Sequence, residues 1–235
     1  MSGRSAILAA CALLLLAAAG PVKVQAAESG AAPAPGVWQK ITGQLEAIRA
    51  RNGLTALIVG VGFGDAPPLV AAAGTSITGV PAQPDMHFRI GAMAIASQTT
   101  ILMQMVDEGL VKLDDTIDKW LPSYPQADKI TLRMLADSTS GYADYESDPG
   151  FVKAFENDVF YAWSAQELLK IGFARGMVFK PGTGFQYAHT NFIVLAQALA
   201  KAAGTSYEAL LQRRIINKLG LKQTRICTTA ELPAP

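Results

Sequence analysis

Apolar residues recur at helical spacing over Val37, Ile41, Leu45 and Ile48, which predicts a helix from Val37 to Arg51, ended by Asn52-Gly53. The period then changes. Leu54 to Phe63 is rich in β-branched residues, Pro68 to Gly74 offers a partner, and Gly64-Asp65-Ala66-Pro67 is turn chemistry, so a hairpin is predicted. The glycines of Gly60 to Gly64 do not meet the spacing of a dinucleotide loop, and no helix follows them. Ala92 to Val106 holds ten apolar and five uncharged polar residues and no charge, the pattern of a buried helix, and Gly109 supplies its stop. A short helix is predicted over Thr131 to Asp137. Ser164-Ala165-Gln166-Glu167 reads as a capping box opening a helix to about Arg175. A further helix runs from Asn191 to Ala203 and ends at Gly204. Thr205-Ser206-Tyr207-Glu208 reads as a second box, with Tyr207, Leu211 and Ile215 on one face of its helix. After the hairpin nearly everything is helical, and the fold class is α+β.

The first 26 residues have the build of a secretory signal: Arg4, an uncharged apolar run from Ala6 to Ala19, then Val24-Gln25-Ala26 with small residues at the cleavage positions. The run is short for a bilayer span, and cleavage is expected after Ala26. Cys11 lies inside the apolar run, which argues against a lipid anchor there. Residues 27–36 form an Ala/Pro/Gly tether, and residues 37–235 form the domain. A secreted or periplasmic protein with no mature membrane span is expected.

Lysine plus arginine is 20 and aspartate plus glutamate 19. That balance excludes a strongly basic nucleic-acid binder, and the 50% hydrophobic content excludes a disordered chain. Arg213, Arg214, Lys218, Lys222 and Arg225 suit a helix C-terminus, and without aromatic interleaving they do not suggest a nucleic-acid patch. Asp114, Asp115 and Asp118 read as a solvated turn with no nearby histidine; no metal and no cofactor are expected. Outside the signal one cysteine remains, Cys227, read as an apolar filler, and His87 is read as structural.

Several stretches occur together in one order: Phe88-Arg89-Ile90-Gly91 before the apolar helix, Val106-Asp107-Glu108-Gly109, and Leu113-Asp114-Asp115. Ile130-Thr131-Leu132-Arg133 with Thr139-Ser140-Gly141, Pro181-Gly182-Thr183 with Phe185-Gln186-Tyr187, and Leu219-Gly220-Leu221 follow. The chain from about Trp38 onward thereby resembles the serine β-lactamase and penicillin-binding superfamily, and more closely its class C-like branch of DD-peptidases and esterases. The resemblance implies a helical subdomain on an antiparallel sheet, a Ser-x-x-Lys nucleophile and base at the head of the buried helix, a tyrosine in a Tyr-x-Asn loop, and a Lys-Thr-Gly strand.

The chain departs from that pattern. Ala92 stands at the serine position and Ile95 at the lysine position. Tyr187 is retained, while His189 replaces the asparagine. No Lys-Thr-Gly or His-Thr-Gly occurs, so the sheet is expected to be incomplete in this chain. No catalytic residue of the first motif is intact; Tyr187 and His189 are the candidate substrate-binding residues. His189 offers a hydrogen bond to a ligand amide and a charge that varies near neutral pH; the alternative is a helix-start histidine bonded to local backbone. Three functions follow. One is a non-catalytic relative that binds a cell-wall peptide or β-lactam-like small molecule. Another is a working hydrolase with a different nucleophile, for which Ser97, Ser138 and Ser140 are the serines at hand. The third is a structural partner that self-associates through an unpaired sheet edge.

Overall fold

A computed structural model of the chain describes residues 23–25, 35–62, 67–76, 79–227 and 229. The leader apart from Lys23–Gln25, most of the tether, and most of the hairpin turn lie outside the described residues. The chain divides into two units, one of residues 1–87 with 234–235 and one of residues 88–233.

In the first unit, α1 spans Pro35–Arg51, two residues earlier than the apolar spacing indicates. Its buried contact is Leu45, which packs with Trp38 on Ala71, Ala73, Leu57 and Val59 of the sheet. The Arg49 guanidinium pairs with Glu46 and donates to the Leu54 carbonyl at 2.8 Å, so the helix end and the strand start are tied together. The hairpin forms as β2 (Ala56–Val61) and β3 (Leu69–Gly74), antiparallel with Ile58 opposite Ala72. A third strand, β1 (Lys23–Gln25), pairs antiparallel with the other side of β3. The sheet order is therefore β1-β3-β2, with Lys23–Gln25, residues read from the sequence as part of a leader, along one edge of β3. The outer edge of β2 has no strand partner among the described residues.

In the second unit, a 3-10 turn over Gly91–Met93 leads into α2 (Ala94–Asp107). The predicted helix is present, but it is not buried along its length. Its buried residues are Gln98, Ile101, Leu102 and Met105, whereas Met93 is 74% exposed. An uncharged sequence thus marks a buried second half and an apolar but open head. Then come α3 (Leu132–Ala136), α4 (Pro149–Asn157), α5 (Ala165–Ala174), α6 (His189–Ala202) and α7 (Tyr207–Leu211). The core joins Ile101, Leu102 and Met105 of α2 to Leu132 and Leu135 of α3, Leu169 of α5 and Val194, Leu195 and Leu199 of α6. Burying such a side chain contributes about 1.5–3 kcal/mol each, which is what holds these short helices together.

Capping follows the sequence in most places. Ser164 and Glu167 form the full reciprocal box at the head of α5. At α7 the cap shifts by one residue: Ser206, not Thr205, accepts the Ala209 N–H, so Glu208 is the second helical residue and no reciprocal box forms. The sequence reading overlooked α4, whose N-cap is Asp148, with Pro149 as the first helical residue.

Candidate active site

The head of α2 presents Gly91, Ala92 and Met93 to solvent, and Ile95 is half-buried one turn on. Neither side chain at the two motif positions carries a proton that could move or an atom that could attack.

Tyr187 and His189 do come together. The Tyr187 hydroxyl lies 3.3 Å from His189 Nε2, and the two rings meet edge to face with centroids 4.9 Å apart. His189 opens α6. Its backbone N–H donates to Asp144 Oδ1 at 3.0 Å, and its ring Nδ1 is 3.3 Å from both Asp144 carboxylate oxygens. Glu146 Oε2 stands 3.3 Å from the same nitrogen. His189 is therefore a helix-start residue as the sequence suggests, but its partners are carboxylates from a loop 45 residues away rather than local backbone. Burial, with the nearby carboxylates of Glu146 and Asp144, pushes the Tyr187 phenol above its ordinary range. The same causes, burial first, push Tyr145 up as well.

A close packing contact places Asp144. Gly172 of α5 lies against α6, and a Cβ there would stand 2.6 Å from Thr190 Oγ1. The Thr190 hydroxyl donates to the Ala143 carbonyl at 2.7 Å and accepts from the Tyr145 N–H at 3.3 Å, holding the backbone on either side of Asp144. One residue further along α6, Asn191 Oδ1 accepts the Ser140 hydroxyl. Gly141 takes φ 87°, and a side chain there would run into the Phe179 carbonyl at 2.3 Å. From Tyr145 the aromatic contacts continue outward to Phe151, at 5.2 Å between centroids, and on to Trp163 at 5.1 Å.

The sequence reading missed Asp144, Glu146 and Thr190. Asp144 had one local signal, a carboxylate before a tight turn, since it caps the 3-10 turn Tyr145–Ser147. The candidate serines stand apart from any such group. Ser140 is fully buried with its hydroxyl committed to Asn191, Ser138 is 4% exposed with φ 61°, and Ser97 is half-buried on α2. Asp114 pairs with Arg133, Asp115 with Lys119, and Asp118 accepts from Thr116, so each serves local structure. Among the described residues no group of three or more acidic, histidine or cysteine side chains is placed to hold a metal ion. Of the basic cluster, Arg214 pairs with Glu108 at the end of α2. Cys227 is a half-buried free thiol.

Over 153 residues the chain is 29% identical to penicillin-binding protein 4 of Amycolatopsis lactamdurans, a match covering 63% of this chain and 38% of that protein. Over 148 residues it is 30% identical to the D-alanyl-D-alanine-carboxypeptidase/endopeptidase AmpH of Escherichia coli strain K12, covering 60% of this chain and 37% of that one. Among solved structures, D-amino acid amidase from Ochrobactrum anthropi SV3, complexed with L-phenylalanine amide, superimposes with a TM-score of 0.72 at 28% identity. That superposition covers 84% of this chain and 56% of the amidase. The matches span little more than a third of the curated relatives' length. The fold is therefore that of the β-lactamase and DD-peptidase group, a mixed helical and antiparallel-sheet architecture. A family model described as Beta-lactamase matches residues 47–233, and the chain belongs to that family of serine hydrolases and penicillin-binding proteins.

Proposed function

We propose that the protein is a secreted or periplasmic relative of the serine hydrolases that does not form an acyl-enzyme and instead binds a cell-wall peptide or β-lactam-like small molecule beside Tyr187 and His189. The observation that carries this reading is the residue pair at the head of α2: a methyl group at Ala92 and a branched alkyl group at Ile95 where the chemistry needs a hydroxyl and an amine. The penicillin-binding and D-amino acid amidase names of similar proteins support the ligand class. For localisation, the support is the Arg4, apolar-run and Val24-Gln25-Ala26 pattern of the first 26 residues. Among the described residues no helix is long and apolar enough to cross a membrane.

The test is intact mass spectrometry after incubation with a fluorescent penicillin. No covalent adduct is expected on the native chain, and a stoichiometric adduct refutes the proposal.

A further inference from the structure

We propose that Asp144 is a positioning residue that fixes His189 as its Nδ1–H tautomer, so that the Tyr187 hydroxyl donates to His189 and turns its lone pairs toward a ligand N–H or ammonium group. The inference rests on reading Tyr187 and His189 as a ligand-lining pair. It adds what that pair selects: an amine or amide donor, carried on a ring or other apolar body.

The hydrogen-bond inventory compels the direction. An ionised carboxylate only accepts, and His189 Nδ1 faces both oxygens of Asp144 and one of Glu146 at 3.3 Å. Nδ1 must therefore carry the proton. A neutral imidazole has one N–H, which leaves Nε2 as an acceptor, and the group beside Nε2 is the Tyr187 hydroxyl at 3.3 Å. Burial and the same carboxylates keep that phenol protonated, so it has a proton to donate. Its remaining lone pairs then define what a neighbour must offer.

Asp144 is well held for this role. Its Oδ1 accepts from the His189 backbone N–H at 3.0 Å and from the Glu146 N–H at 3.3 Å, and Thr190 anchors the residues on both sides of it. The groups facing His189 are Asp144, Glu146 and the Tyr145 ring from the loop, and Tyr187 from the segment before α6. Asp144 and Glu146 both face Nδ1 of His189, and two carboxylates beside one neutral imidazole leave the surroundings negative, which favours a cationic donor over an anion. The apolar body has a partner too: the Tyr187 ring is 43% exposed and so remains open to stacking.

The experiment uses the whole chain with ¹⁵N-labelled histidine. It has only two histidines, His87 and His189, so the His189→Asn variant assigns the signals. At a pH where the ring is neutral, long-range proton–nitrogen spectra are expected to show His189 protonated at Nδ1. Asp144→Ala is expected to move it toward the Nε2–H form that a free imidazole favours, and Asp144→Asn, which keeps an acceptor oxygen, is expected to retain Nδ1–H. An Nε2–H ring in the native chain, or a tautomer indifferent to Asp144→Ala, overturns the assignment. If the alanine variant does not fold, the native and asparagine spectra decide it. The ligand half is read with two probes that share a ring: benzylammonium is expected to shift the Tyr187 and His189 ring signals with about tenfold tighter apparent binding than benzoate. Equal or stronger binding of benzoate, or no response to either probe, overturns that half. None of these readouts depends on acylation, so they fail independently of the penicillin experiment.

Discussion

Gly172→Ala tests whether the contact between α5 and α6 sets up the site. In an open helix interior the change would stabilise by about 1 kcal/mol, because alanine loses less backbone freedom on folding. Here the new Cβ meets Thr190 Oγ1 at 2.6 Å, Thr190 Cγ2 at 3.0 Å and the Ala143 carbonyl oxygen at 3.3 Å. The first of these lies inside the separation that real side chains tolerate, and Thr190 is fully buried, so it cannot swing into solvent. Overpacking of this kind costs roughly 1–3 kcal/mol. Displacing the Thr190 hydroxyl from Ala143 and the Tyr145 N–H weakens two further bonds at about 1 kcal/mol each. The balance is a net destabilisation of about 2–4 kcal/mol, read as a lower urea midpoint with an unchanged slope. A double-mutant cycle sharpens the argument. Thr190→Ala removes both close atoms, so adding Gly172→Ala to it should cost at least about 1 kcal/mol less than in the parent. If Gly172→Ala is neutral or stabilising in the parent, or if the cycle shows no coupling, then the close approach of the two helices does not depend on this glycine and the account of how Asp144 is placed is wrong.

Two other outcomes are expected. Asp114, Asp115 and Asp148 are each held below the usual carboxylate range, mainly by hydrogen bonds from Arg133, from Lys119 and from the Phe151 N–H respectively. The folded chain therefore takes up these protons at lower pH than the unfolded chain, so their contribution is complete above about pH 4 and is lost as pH falls through the depressed values. Urea midpoints measured from pH 6 downward should stay level and then drop below about pH 4; a midpoint that rises on acidification contradicts the assignment. The open edge of β2 carries Ala56 to Val61 without a charge, so size-exclusion profiles should shift to larger species as protein concentration rises. A concentration-independent profile would mean that the edge is covered.

Most helices were legible because their apolar positions recur with a helical period and their ends carry strong local signals, as at Gly109, Ser164 and Gly204. The hairpin was legible from a different signal, a run rich in β-branched residues followed by turn chemistry. What escaped was non-local or mixed. The α4 helix has nine residues, too few for periodicity to outweigh its aromatic and charged mixture, although Asp148-Pro149 announced its start. The cap of α7 slipped by one residue because Thr205 and Ser206 are chemically equivalent candidates, and only packing selects between them. At the site, Tyr187 and His189 could be read from two positions in one motif. Their partner Asp144 could not, because the contact is made by folding a loop back onto a helix start 45 residues later. Pairing of Lys23–Gln25 with β3 was equally invisible, since a leader-like composition gives no strand signal.

Three consecutive residues at the start of α6 each grip a different part of the loop before α4. Asn191 accepts from Ser140, Thr190 takes the backbone around Asp144, and His189 meets the Asp144 carboxylate. Only the last of these grips uses a side chain directed at Tyr187. The loop therefore has two anchors that do not involve residue 189, and that residue is free to vary in chemistry without the loop losing its path. Such a division lets natural variation exchange an amide for an imidazole in a single substitution, altering which partners the tyrosine favours while the surrounding architecture stays the same.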